Sequence, residues 1–113
     1  MKDAIGSAAA LLVAALAWSG PAQAQGASVT IELSFKNHQF QPAEIHAPAN
    51  TPITIKIKNL DATTMEFESV TLRVEKIVAG NSERVVNIRP LEPGRYNFID
   101  DSSQPAKGVL VVK

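Results

Sequence analysis

Apolar and polar residues alternate strictly in two stretches of this chain. From Val29 to Phe35 every second residue is apolar, and the residues between them are polar. Over 53–58, three isoleucines alternate with threonine and lysine. A period of two puts apolar side chains on one face of a β-strand and polar side chains on the other. The pattern therefore predicts half-buried strands at 28–36 and 51–59.

Shorter stretches of the same kind follow, separated by turn residues. The predicted strands are 70–78, 83–89, 95–99 and 108–113, and a short edge segment lies around Ile45. About seven short strands with no helical period between them are typical of an all-β fold, and we expect a Greek-key antiparallel β-sandwich. The residues expected in its core are Ile31, Leu33, Ile53, Ile55, Ile57, Leu72, Val74, Tyr96, Phe98 and Val111.

One turn carries a more specific pattern. The segment 91–96 reads Leu-Glu-Pro-Gly-Arg-Tyr. A leucine, a Pro-Gly turn and a tyrosine at this spacing fit the tyrosine corner of Greek-key sandwiches, in which the phenol bonds to nearby backbone. An ordinary Pro-Gly turn with a half-buried Tyr96 fits the spacing equally well.

The first 24 residues differ from the rest of the chain. Lys2 precedes an almost wholly apolar or small run from Ala4 to Trp18, and Ala22-Gln23-Ala24 follows. A charged start, an apolar run and a small-x-small site are the parts of a signal peptide. We therefore predict a signal-peptide helix over 1–24, cleavage after Ala24 and a periplasmic domain over 25–113. The alternative is a retained membrane anchor, although the run is shorter than the ~20 residues of a typical span.

Composition excludes several kinds of function. The chain has no cysteine, so it forms no disulfide and cannot hold an iron–sulfur cluster or a thiolate-bound copper ion. Its formal net charge is zero, with acidic and basic residues interspersed. A nucleic-acid surface would need a basic stripe, so we expect no nucleic-acid partner.

Two polar segments carry the candidate chemistry. Segment 59–69 follows the isoleucine strand, and segment 99–103 precedes the last strand; we predict that they form the two lips of a site. The candidate metal ligands are Met65, Glu66, Asp100 and Asp101. Carboxylates are hard donors that suit iron, manganese, calcium and magnesium better than cuprous copper.

Each candidate also has a structural interpretation. Glu66 and Glu68 alternate with Phe67, so they could line the solvated face of a strand. Met65 is of a type that often fills a core, and the two aspartates could belong to an ordinary polar loop. His38 and His46 are expected at the surface, with His38 as a reserve ligand.

The order of these motifs resembles the cupredoxin-like domains. The matching pieces are Phe40-x-Pro42, the turn 47–50, Asn59-Leu60-Asp61, the segment from Leu91 to Phe98, and the closing 108–112. The segment 66–69, with Glu75-Lys76, is most similar to the cupredoxin-like proteins of bacterial iron uptake, the FtrB-type proteins and the cupredoxin domain of EfeO-type proteins.

The resemblance implies both a function and a departure from the family pattern. In electron-transfer cupredoxins the first copper ligand, a histidine, follows the loop that Asn59 would begin here, and the others lie between the last two strands. This chain has no cysteine or histidine at either place. The iron-uptake relatives imply a protein that binds, and in one version oxidises, ferrous iron for an inner-membrane permease. A copper-binding electron-transfer protein and a metal-free interaction module for a transporter are the alternatives.

Overall fold

The computed structural model describes residues 27–102 and 105–113, and over these residues the chain is all-β. The predicted signal-peptide helix lies outside the described residues, as do Ser103 and Gln104 of the second predicted lip. The strands are β1 Val29–Lys36, β2 Gln39–Gln41, β3 Glu44–Ala47, β4 Ile53–Asn59, β5 Met65–Ser69, β6 Val74–Val78, β7 Ser82–Ile88, β8 Gly94–Asp100 and β9 Ala106–Val112.

Two sheets pack face to face. One has four strands in the order β2-β1-β4-β7, and the other has five in the order β3-β9-β8-β5-β6. The sandwich is confirmed, but its sheets are mixed, because β1 pairs with β4 and β3 pairs with β9 in parallel. Alternation looks the same in both pairing modes, so it could not reveal this. The chain crosses to the other sheet at β3 and returns beside β1 in the same direction.

The core lies between the sheets and contains most of the predicted residues. Ile53, Ile55 and Ile57 are essentially inaccessible to solvent. Four phenylalanines pack edge to face or tilted near one end, with ring centroids 4.9–6.2 Å apart. Ile31, Val74 and Tyr96 are only partly buried and pack against this core.

The predicted strand over 70–78 is wrong over its first four residues. The chain instead turns over 70–73, where Arg73 has a φ of 60°, and β6 begins at Val74. Ile77 is an apolar residue of this stretch, yet it is 58% exposed. It lies on the outer side of β6, at the edge of the five-stranded sheet, whereas Val74 and Val78 on the same strand point inward.

The tyrosine corner is present. The Tyr96 hydroxyl donates a hydrogen bond to the Glu92 carbonyl at 2.7 Å, and Leu91 is buried beneath the turn. This contact decides between the two interpretations of the Pro-Gly turn, because an ordinary turn would not need the phenol to bond four residues back.

Within the described part of the chain, no helix has the length and apolar character needed to cross a membrane.

Candidate functional site

A buried asparagine organises the end of the sandwich where β4 finishes. The Asn59 side chain donates to the carbonyls of Thr63, Val78 and Ala79 at 2.8–3.2 Å, and its oxygen accepts from the Asp61 backbone at 3.0 Å. The loop after β4 is therefore tied to the turn between β6 and β7. The two segments approach so closely that a side chain at position 80 would collide with the Ala62 carbonyl, which explains Gly80 there.

Asp61 continues this network toward β1. Its carboxylate accepts hydrogen bonds from the backbone N–H groups of Asn37 at 2.7 Å and His38 at 3.0 Å. Both residues have positive φ, so the carboxylate stabilises a tight left-handed turn. The hydrogen bond from His38, then that from Asn37, lowers the pKa of Asp61 because both favour the charged form. We define Asn59 and Asp61 as the asparagine hub.

The first predicted lip is partly a strand. Over β5, Met65, Phe67 and Ser69 are buried, whereas Glu66 and Glu68 face the outer surface of the five-stranded sheet and are half-exposed. Glu66 and Glu68 therefore line the solvated face of a strand, which is the structural interpretation given above. Met65 lies inside the core with 1% of its surface exposed. It was expected on a lip, but the same period of two that exposes Glu66 turns Met65 inward.

The second lip meets β5 as predicted. Asp100 is fully buried, and its carboxyl accepts from the Glu66 backbone N–H at 3.0 Å and from the Ser102 hydroxyl at 2.6 Å. The Asp101 N–H donates to the Glu66 carbonyl at 2.9 Å. The structure thus brings Glu66, Asp100 and Asp101 together, although only Glu66 and Asp101 present their side chains outward. Metal binding by the four predicted residues stays a prediction.

Two further glutamates join them on the outer sheet surface. Glu68 and Glu75 are direct partners across β5 and β6, and Asp101 follows the end of β8 next to them. We call Glu66, Glu68, Glu75 and Asp101 the acidic face. Glu75 was not among the predicted site residues. Glu75 reaches this surface through the register in which β6 pairs with β5. The sequence alone does not specify that register.

The acidic face holds like charges close together. A side-chain hydrogen bond with Glu75 is the main cause that raises the pKa of Glu66, followed by loss of solvent and by repulsion from neighbouring carboxylates. The pKa of Glu68 is raised chiefly by a hydrogen bond with the Asp101 side chain, then by the same two effects. A hydrogen bond between two carboxyl groups needs a proton, and repulsion also favours the protonated form.

The acidic side chains form pairs rather than a closed coordination site. Among residues 27–102 and 105–113, no three His, Asp or Glu side chains lie in a position to hold one metal ion together. Glu66 with Glu75, and Glu68 with Asp101, are the two pairs of neighbouring carboxyls whose interaction raises the pKa of Glu66 and of Glu68. Glu66 and Glu68 are half-exposed, and Glu75 and Asp101 are exposed, so all four side chains are open to solvent.

Neither histidine belongs to the acidic face. His46 is exposed on β3, where its Nε2 lies 3.0 Å from a Glu44 carboxylate oxygen, and β9 and β8 separate it from β5. His38 is an exposed turn residue whose ring meets the edge of Phe35 at a centroid distance of 6.2 Å. Both occupy the surface positions that the sequence indicated.

Comparison with known families explains the architecture. The model of the cupredoxin-like domain matches residues 8–112. This chain belongs to the cupredoxin-like domain family. It is 34% identical over 95 residues to the uncharacterized protein RP394 of Rickettsia prowazekii, covering 83% of this chain and 76% of that protein. Family membership confirms the coarse resemblance, while the specific similarity to iron-uptake proteins remains a prediction.

Solved structures share the fold at low identity. The metal-binding domain of the Cu(I)-exporting P-type ATPase CopA from Streptococcus pneumoniae, with Cu(I), superposes with a TM-score of 0.68 at 19% identity, over 79% of this chain and 90% of that one. Auracyanin A, a blue copper protein from Chloroflexus aurantiacus, gives 0.65 at 19% identity, over 77% and 100%. At this identity the likeness establishes the fold alone.

A copper centre of the thiolate type does not fit the residues present. The chain has no cysteine, and the segments 60–64 and 101–105 contain neither histidine nor methionine. Met65, next to the first segment, is enclosed in the core, and both oxygens of Asp100 already accept hydrogen bonds. Cupric and cuprous ions prefer nitrogen and sulfur ligands, which these two loops do not offer.

Proposed function

We propose that this protein is an exported cation-binding accessory of metal uptake, and that the acidic face binds ferrous iron or a similar hard divalent cation as cargo. The observation that carries the proposal is the placement of four carboxylates on one outer sheet surface: Glu66 and Glu68 on β5, Glu75 opposite Glu68 on β6, and Asp101 after the end of β8. A divalent cation bound there would offset the repulsion between these carboxylates.

The donor set determines what kind of cation is expected. Four carboxylates on a sheet surface offer only hard oxygen donors, which favour Fe(II), Mn(II), Ca(II) and Mg(II) over cuprous copper. Because the carboxylates are arranged in pairs and are open to solvent, binding should be weak and reversible. That property suits a protein that passes iron to a membrane permease rather than one that stores it.

Location and partner follow from the sequence and are part of the proposal. The apolar run before Ala22-Gln23-Ala24 supports export with cleavage after Ala24, which would leave the domain 25–113 in the periplasm. The expected partner is an inner-membrane iron permease or one of its periplasmic components. Mass spectrometry of the mature protein tests the cleavage site directly.

The test of cation binding is anaerobic calorimetric titration of residues 25–113 with Fe(II) and, separately, Mn(II). Replacing Glu68 and Glu75 together by Gln removes one member of each pair and should weaken binding by about tenfold or more, equivalent to about 1.4 kcal/mol. The control is Glu32→Gln, an exposed glutamate on the other sheet. Equal binding by wild type and the double variant would exclude the acidic face as the site.

Iron oxidation needs a separate measurement. Carboxylate ligands favour Fe(III) over Fe(II), which assists the reaction of four Fe(II) with O₂ and four protons to four Fe(III) and two water molecules. An oxygen electrode with Fe(II) and protein should show consumption faster than buffer alone, and Glu66→Gln with Asp101→Asn should return it toward the buffer rate. Consumption equal to buffer in the wild type would restrict the function to binding.

A second candidate is a metal-free interaction module, and one observation favours it. Two of the four predicted ligands, Met65 and Asp100, are buried, and no three acidic or histidine side chains of the described residues surround one point. In this case the acidic face would bind a basic surface of a transporter component. Binding to that component in the presence of a chelator, weakened by salt and by the Glu68 and Glu75 double variant, would favour the module over the cation site.

A further inference from the structure

The strongest unexplained feature is a buried carboxyl at the end of β8. Asp100 is the last residue of that strand and pairs with Phe67 of β5 on one side and Ala106 of β9 on the other. Its side chain is fully buried. Burying a carboxyl is unfavourable unless its oxygens are hydrogen-bonded, so its position indicates a specific role.

Asp100 joins three segments of the chain. One oxygen accepts from the Glu66 N–H on β5, and the other accepts from the Ser102 hydroxyl in the loop to β9. The Asp101 N–H donates to the Glu66 carbonyl. Both backbone polar groups of Glu66 are therefore bound by two consecutive residues, and β5 and β8 stay connected one residue beyond their last regular pair, Phe67 with Asp100.

The place of this contact is informative. The resemblance to electron-transfer cupredoxins implies copper ligands in the segments that follow β4 and β8. In this chain those segments lack copper ligands, yet the Asp100 carboxyl connects β5 to the β8–β9 loop directly. A metal ion bound by Asp100 would have to reach a fully buried carboxyl whose two oxygens already accept hydrogen bonds.

We infer that the Asp100 carboxyl closes this end of the sandwich in place of a metal ion, so that the domain is complete without copper and binds none between these two segments. The inference does not depend on the proposed cation binding, which concerns exposed side chains on the outer sheet surface. Each can fail without the other.

The first test is whether copper is needed or bound. Protein dialysed against a chelator should melt at the same temperature as untreated protein. Adding one equivalent of Cu(I) or Cu(II) should leave that temperature unchanged. A melting temperature that falls on chelation, or that rises with copper in the wild type but not in Asp100→Asn, would overturn the inference.

The second test is local. In Asp100→Ala the Glu66 amide loses its acceptor, so its hydrogen exchange should accelerate by about tenfold or more relative to the exchange set by global unfolding. The Ile55 amide, in the core strand β4, should follow global unfolding only. Asp101→Asn is the matched control, because Asp101 binds Glu66 through its backbone N–H, which the substitution keeps.

If Asp100→Ala does not fold, Ser102→Ala carries the test. Ser102 is partly exposed and its side chain donates only to Asp100 among the described residues, so the variant should fold. It should raise the unfolding equilibrium constant by about threefold to tenfold, as expected for one hydrogen bond to a carboxylate. Unchanged Glu66 exchange in Asp100→Ala, or unchanged stability in Ser102→Ala, would show that the contact does not close the loop.

Discussion

The asparagine hub and the acidic face are two polar clusters of one domain, and they shift the pKa of their carboxyl groups in opposite directions. Asp61 faces two backbone N–H donors, which lower its pKa. Glu66 and Glu68 face other carboxylates, which raise theirs. The hub supplies its own hydrogen-bond partners and needs no ligand. On the acidic face carboxylates face one another. A proton, a cation or a basic partner would reduce the repulsion between them.

This difference separates the family motif from the candidate function. Asn59-Leu60-Asp61 is one of the segments that carry the resemblance to cupredoxin-like domains, and the structure gives both polar residues structural tasks. The residues with unsatisfied charge lie instead on the outer surface of β5 and β6. A motif that identifies the fold is therefore not the place to look for the activity in this chain.

The largest expected effect tests whether the hub is a structural unit. Asn59→Ala would leave the carbonyls of Val78, Ala79 and Thr63 without their shared donor, one of them in a fully buried setting. We expect a loss of about 3 kcal/mol in the free energy of unfolding, measured by urea denaturation. Asn87→Ala, at an exposed site where the side chain accepts from Thr54, is the control. A loss no larger than the control's would contradict the hub.

A smaller effect should come from the other member of the hub. Asp61→Ala removes two charge-assisted hydrogen bonds, but solvent screens them, so the expected loss is about 1 kcal/mol at pH 7. Because the folded-state pKa of Asp61 is lowered, its contribution is present above the ordinary aspartate value near 4 and is lost as pH falls through the folded value. The variant and the wild type should therefore converge in acid, and a constant gap down to pH 2 would refute this account.

The smallest effect should have the opposite sign. The folded-state pKa of Glu68 is raised, so the folded protein binds more protons than the unfolded chain just above the ordinary glutamate value near 4.3. Wild-type stability therefore decreases as pH rises through that window, and Glu68→Gln should be slightly more stable than wild type at pH 7 but not at pH 4. Melting curves across this range, with Glu32→Gln as control, would show it. Lower stability of Glu68→Gln at pH 7 would mean that Glu68 is held by favourable partners.

Much of the fold could be predicted from the order of apolar residues, and less of the site could. The isoleucine strand begins two residues later than predicted but ends at Asn59 as predicted. Its buried face was correct, because strict alternation leaves one consistent arrangement. Val70 to Arg73 was misplaced because a stretch with apolar residues at intervals resembles a strand when the turn at Arg73 is not visible. Of the predicted ligands, Glu66 and Asp101 are exposed together, whereas Met65 and Asp100 are buried.

By itself the sequence determined the class of fold, the faces of the main strands, the lack of thiolate ligands and the tyrosine corner as one of two interpretations. Each of these depends on local order or composition. Only the tertiary structure decided that β1 and β4 run parallel, that Glu75 lies opposite Glu68, and that Asp100 turns inward to the Glu66 backbone. Those outcomes depend on pairing between segments up to 34 residues apart. Register and strand direction arise from the packing of the whole domain, so they cannot be predicted from the sequence of a single segment.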